Sequence, residues 1–160
     1  IKVNKENINV QIEANTSKEC KSIPISTSIL ANKVNIPNKI IRIMSLDIAL
    51  SHKIAAWNER RLLRDLYDIY FISQVLGELP DKNTILKRLS KIESNLPKLK
   101  NIKKMTVHKL IDELQTFVDN LSKEKIDNEL SIILDESELF GLDKKLKIAA
   151  NKIIEYLDAS

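Results

Sequence analysis

The hydrophobic period of this chain changes once, at Met44–Ser45, and that change constrains the fold more than any other feature. Before it, apolar residues alternate. In Asn7–Glu13, Ile8, Val10 and Ile12 interleave with Asn9, Gln11 and Glu13, the period of two of a half-buried strand. Asn15–Ser22 is polar and turn-like. Ile23–Ser28 contains Pro24 and reads as an edge strand or extended connector, and Asn35–Asn38 carries Pro37 and reads as a loop. Ile40–Met44 is a short β-branched run that predicts a last strand. Residues 1–43 are therefore expected to be extended.

After Met44 the period is helical. Ser45 suits an N-cap, and Asp47 falls in the first turn, where the helix dipole favours negative charge. Leu46, Ala49, Leu50, Ile54 and Trp57 then recur at three- and four-residue steps. Apolar residues cover much of the circumference of Leu62–Leu76, which predicts a buried central helix with Gly77 as its C-cap and Pro80 as its stop. Asp81 caps a helix that Pro97 ends, and Thr106 caps one with Leu110, Leu114 and Val118 on one face. Two more helices are expected, from Ser122 to about Leu134 and from Asp143 to about Leu157.

The expected architecture is thus α+β, with short N-terminal strands followed by a mostly helical lobe. It divides into an incomplete β part over 1–44, core helices over 45–77 and a helical bundle over 78–160. A chain of 160 residues can bury a core without staples. The single cysteine, Cys20, excludes a disulfide within the chain and zinc sites of the paired CxxC type. No apolar run approaches the roughly 18 residues of a membrane span, and no signal peptide opens the sequence. No membrane partner and a cytoplasmic location are expected. The chain opens on Ile1, not Met, which suggests a fragment of a longer protein.

Charge carries less than it first suggests. The 21 lysines stand beside 24 isoleucines and 14 asparagines, a composition of AT-rich coding sequence, so the basic balance alone says little about nucleic acid. Its distribution is more telling. Residues 81–110 hold nine basic and two acidic side chains, and residues 111–143 hold two basic and ten acidic ones. Solvated faces of opposite sign packing side by side would explain this. A basic surface for RNA or an acidic partner is the other reading, although the basic block is poor in aromatic residues for base stacking. His52 and His108 are far apart and lack carboxylates at ligand spacing, and Trp57 and Phe71 sit at core spacing.

Chemistry concentrates in SLDIALSHKIAAWNERRLLRDLYDIYF, residues 45–71, which holds three of the five arginines. Lys53 and Arg60 are seven apart, about two helical turns. Arg64 is four further on and Asp68 four beyond that, with Asp65 beside them. On one continuous helix these residues form a stripe. Such cations suit a polyphosphate, Arg holding oxygens in bidentate fashion and Lys acting as a point charge. An ordinary exposed i,i+4 pair between Arg64 and Asp68 is the plainer account. Against it, these charges lie in the most apolar helix of the chain, where burial is costly unless each is paired.

At these residues the sequence resembles the nucleotidyltransferase AbiEii/AbiGii toxin family. The hallmark is a Leu/Ala-rich helix carrying a Lys, an Arg seven residues later, and an RDxxD segment, here Lys53, Arg60 and Arg64-Asp65-Leu66-Tyr67-Asp68. The likeness covers about residues 8–76. It implies a nucleotidyltransferase-like α/β core followed by helices. It also implies an NTP- and Mg²⁺-dependent transferase of the type IV toxin–antitoxin or abortive-infection kind. A cognate antitoxin, and tRNA or another acceptor, would be its partners. In that picture Lys53, Arg60 and Arg64 bind nucleotide phosphates, and Asp65 and Asp68 organise the catalytic site. Phosphoryl transfer of this kind is mostly positioning and charge neutralisation.

The sequence departs from the family at one place. The GSxxxDxD segment, source of two metal-binding carboxylates, is missing, and no Gly-Ser pair occurs in the chain. Glu13 is the candidate for a further acidic, metal-binding position, and a solvent-facing strand residue is its other reading. These 160 residues alone are therefore expected to lack catalysis. The alternative is a non-catalytic helical binding module derived from the same fold.

Overall fold

The computed structural model describes residues 21–159 together with the strand segments Lys2–Val3 and Glu6–Asn7. Glu13, Cys20 and all but the first residue of the strand expected over Asn7–Glu13 lie outside the described residues. The fold is α+β and mostly helical. Two two-stranded antiparallel sheets are described. In the first, β1 (Lys2–Val3) pairs with β2 (Glu6–Asn7). In the second, β3 (Ser22–Ser26) pairs with β4 (Ile40–Met44), from Ser22 opposite Met44 to Ser26 opposite Ile40. That register sets Ile23, Ile25, Ile41 and Ile43 on one face of the ladder.

The extended reading of residues 1–43 needs one correction. A helix, α1 (Ser28–Lys33), interrupts it between β3 and β4. The Thr27 N–H bonds the Lys39 carbonyl at 2.9 Å and closes the base of that excursion.

The helical lobe follows. Helix α2 (Leu46–Arg60) begins where the period changes, with Ser45 extended at the N-cap position but making no side-chain cap bond. Helix α3 (Leu63–Tyr70) continues into a π-helical turn, Phe71–Val75. Gly77 then takes φ +75°, a left-handed conformation that suits glycine, and the Glu78 N–H returns to the Ile72 carbonyl. Next come α4 (Lys82–Leu89), α5 (Val107–Asp119), α6 (Lys123–Leu130), α7 (Glu136–Leu139) and α8 (Leu142–Asp158). Asp81, Thr106 and Ser122 cap α4, α5 and α6 through their side chains, because a short oxygen-bearing side chain satisfies an N–H left over in the first turn.

The core lies among α2, α3, α5 and α8. Leu50, Ile54, Trp57, Leu66, Ile69, Leu110, Leu114, Leu146 and Ile153 are fully or almost fully buried in it. The expected buried helix over Leu62–Leu76 is correct only in its first half. Leu63, Leu66 and Ile69 are buried, whereas Phe71 and Val75 of the π-turn and Leu76 after it are exposed. Phe71 is therefore not a core residue, although Trp57 is. The helix expected from Ser122 to Leu134 stops at Leu130, and α7 follows with its own capping box. No helix among the described residues is long and apolar enough to cross a membrane.

Candidate functional site

The stripe drawn on one continuous helix does not exist in that form. Helix α2 ends at Arg61, whose backbone is left-handed at φ 59° and ψ 31°, and Leu62 is extended. The chain reverses there, so α2 and α3 form an antiparallel hairpin. A non-glycine residue in the left-handed region costs roughly 1–2 kcal/mol, and three contacts hold Arg61 in place. Its guanidinium donates to Asn58 Oδ1 at 3.0 Å, pairs with Glu113 at 3.3 Å and lies 4.4 Å over the Trp57 ring. Trp57 is itself buried edge-on against Phe117, 5.3 Å between ring centroids.

The hairpin brings the charged residues together in pairs across its two arms. Lys53 Nζ on α2 meets Asp68 Oδ2 on α3 at 2.6 Å, with both side chains well exposed. At the turn, Arg60 grips Asp65 in a fork, Nη2 to Oδ1 at 2.6 Å and Nε to Oδ2 at 3.1 Å. The Asp65 side chain is 2% exposed and that of Arg60 48%. Arg64 lies one turn before Asp68 on α3 and is exposed. The i,i+4 pair expected between Arg64 and Asp68 is not formed; Asp68 pairs instead with Lys53 from the opposite helix.

Neighbouring elements fix this edge in place. Glu129 of α6 accepts the Leu63 N–H at 2.6 Å, supplying a carboxylate to the first turn of α3. Glu59, also nearly buried, accepts from Arg88 of α4 at 2.8 Å and from the Glu93 N–H at 3.3 Å. Its carbonyl takes the Ser94 hydroxyl at 2.6 Å. A cavity of about 580 Å³ opens here, bordered by Arg60, Glu59, Arg88 and Ala56. A second, of about 370 Å³, shares Arg88 and Glu93 with it and adds His52, Lys87 and Lys91. Burial, with Arg88 close by, lowers the His52 pKa below its ordinary value, so its imidazole favours the neutral form.

Of the six candidate residues, the fold gathers Lys53, Arg60, Arg64, Asp65 and Asp68 along the α2–α3 edge. Glu13 lies outside the described residues. Sequence reasoning missed Glu59, Arg61, Arg88 and Glu129, which shape the turn. Only Arg61 carried a signal, as a third arginine beside Arg60 and Arg64. Chemically, the edge offers three cations with exposed heads. Lys53 and Arg60 each keep donors beyond the carboxylate they already hold, and Arg64 has no ion pair with a described residue. As a Mg²⁺ site the described residues do not fit. Both aspartates are held by cations, and no three His, Cys, Asp or Glu side chains among the described residues gather at metal-binding spacing.

The two charge blocks do not pair with each other. No ion pair among the described residues joins a base of residues 81–110 to an acid of residues 111–143.

Compared with family models, with curated proteins and with solved structures, the sequence matches none.

Proposed function

We propose that this chain is part of an NTP- and Mg²⁺-dependent nucleotidyltransferase of the toxin–antitoxin or abortive-infection type, and that the α2–α3 edge binds the nucleotide's phosphates. The carrying observation is that Lys53 and Arg60 of α2 pair across the hairpin with Asp68 and Asp65 of α3, with Arg64 exposed one turn before Asp68. Phosphate oxygens match these donors, because guanidinium forks and an ammonium form short, charge-assisted hydrogen bonds to them. Asp65 holds Arg60 in its orientation, and Asp68 does the same for Lys53. Exchange of Asp68 for phosphate at Lys53 would then be one electrostatic partner replacing another. Mg²⁺ remains an implication of the family resemblance, and no step is assigned to it.

The second reading, a helical binding module without catalysis, draws on the closed state of the edge. Both aspartates already have cationic partners. Calorimetric titration of the intact protein with NTP and Mg²⁺ separates the two. Lys53→Ala and Arg64→Ala should each weaken NTP binding by about 1.5–3 kcal/mol, the range for a hydrogen bond to a charged group. Unchanged affinity in both Lys53→Ala and Asp68→Ala would remove this edge as a nucleotide site and leave the binding-module reading.

A further inference from the structure

The least expected surface of the helical lobe is apolar. Ile132 is 86% exposed and Phe140 83%, with Ile133 beside them at 60%. They flank the turns that lead into and out of α7. Ser131 and Leu139, their chain neighbours, line the same cavity of about 750 Å³, whose rim holds Asp127, Glu136 and Asp143 as well as Lys123 and Lys144. Between residues 124 and 143 there are seven acidic side chains and one basic one. None of those acids is in an ion pair with a described residue. Exposed apolar side chains of this kind, beside a rim of three acids and two lysines, mark an interaction surface.

The complementary surface is on the same molecule. Between the 96–102 loop and α5 runs a groove of about 490 Å³ with Leu96, Ile102 and Phe117 in its lining; Lys98 and Lys109 border it, beside the Arg61–Glu113 ion pair. Lys100, Lys103 and Lys104 extend the basic rim along the loop and are exposed. None of these five lysines is in an ion pair with a described residue. One face therefore exposes apolar side chains beside an excess of acid, and the other is an apolar recess beside an excess of base. Within one molecule the two are not joined by any ion pair among the described residues.

We infer that these faces bind each other between two copies of this chain, the Ile132–Phe140 projection of one copy seating in the Leu96–Phe117 groove of the next. The occupant is a second copy because the matching charge and the matching apolar recess are both encoded in this sequence. Burial of Phe140 and Ile132 supplies the driving force, and the opposed charges set orientation and encounter rate. Because the two halves of the contact are different surfaces, one copy can offer either half alone. The inference is independent of the nucleotide-binding reading.

Sedimentation velocity on the 160-residue chain tests it. The mass should rise to at least twice the monomer value as concentration increases at low salt. Salt of about 1 M, where the screening length is near 3 Å, should shift the chain back towards monomer. Phe140→Asp, at an exposed position, should be monomeric, and so should the double variant Lys98→Glu with Lys109→Glu. Mixed in equal amounts, these two variants should form a one-to-one dimer, since each retains the half that the other has lost. That recovery would also show that both are folded. A chain that stays monomeric at every concentration and salt overturns the inference and leaves the faces to a basic peptide and a polyanion. So does association that neither variant weakens.

Discussion

The two ion pairs on the α2–α3 edge have nearly equal lengths and very different environments. Asp65 is almost fully buried, and the Arg60 fork satisfies both of its oxygens. Removing Arg60 leaves a buried carboxylate without its partner. Arg60→Ala should therefore lower unfolding free energy by about 1.5–3 kcal/mol, below the full cost of a wholly buried pair because Arg60 is itself half exposed. Lys53→Ala breaks a pair that water already screens, and about 0–1 kcal/mol is expected. Urea unfolding of the two variants checks this difference, and equal losses would contradict it. A third pair sets a pH response. The Lys21 ammonium, 2.8 Å away, holds the Asp47 carboxyl down at about 2, against an ordinary 3.8. A carboxyl with a lowered folded pKa binds protons more weakly folded than unfolded, so its stabilisation is complete above the unfolded value and is lost as pH falls. Part of the acid sensitivity between about pH 4 and pH 2 should come from this residue. Unfolding midpoints of Asp47→Asn should fall less steeply over that window than those of the unaltered chain. Parallel curves would show that the pair contributes nothing, its attraction screened by solvent around the exposed Lys21 side chain.

At the scale of the element, the decisive event is the reversal at Arg61–Leu62. Helices that end in a left-handed residue usually use glycine, and here an arginine does so. Its conformation is over-determined by Glu113, Asn58 and the Trp57 ring. Arg61→Ala loses those contacts and keeps the backbone strain, whereas Arg61→Gly loses the same contacts and relieves the strain. The glycine variant should therefore be more stable than the alanine variant by about 1 kcal/mol. Chemical denaturation measures this, and an alanine variant equal to the glycine variant would mean that the turn had changed its conformation. The same residue shows what the sequence could tell. Asp81 and Thr106 were legible as caps because a cap is a local bond between a side chain and the backbone three residues on. Arg61 was not, because no glycine or proline marks the turn and one of the groups that hold it, Glu113, comes from α5. Helix α1 was hidden by its brevity, and the π-turn by an apolar pattern that continues unbroken through Phe71. Lys53, Arg60, Arg64, Asp65 and Asp68 could be named from their types and spacing. Their pairing could not, because it depends on where the chain turns back. In α6 and α7 the signal was present but unused, since Asp135 with Glu138 three residues later forms the capping box that starts a new helix.

At the scale of the molecule, apolar burial is concentrated in one half. Leu66, Leu110, Leu114 and Leu146 are wholly buried where α2, α3, α5 and α8 meet. The β3–β4 ladder is built differently. Ile25, Ile40, Ile41 and Met44 remain exposed on it, as do Ile29, Val34 and Ile36 of the connection between its strands. A two-stranded ladder is marginal by itself in water, because each strand has, among the described residues, one neighbour and little area to bury. Among the described residues, its polar ties to the helical lobe include the Lys21–Asp47 pair and the Ser45 N–H to the Lys21 carbonyl at 2.9 Å. The two halves should then open with different free energies. Amides of Ile23, Ile25 and Ile41 should exchange with solvent through local opening, well below the global unfolding free energy. Those of Leu114, Leu66 and Ile153 should require global unfolding. Substitutions should divide in the same way. Leu66→Ala empties space in a sealed core and should cost about 2–5 kcal/mol, whereas Ile40→Ala, at a side chain already in water, should cost within about 0.5 kcal/mol. Native-state hydrogen exchange followed residue by residue reads both halves in one experiment. Equal protection of the ladder and the helical core would mean that the exposed isoleucines are covered in solution, and the separation between the halves would then have to be abandoned.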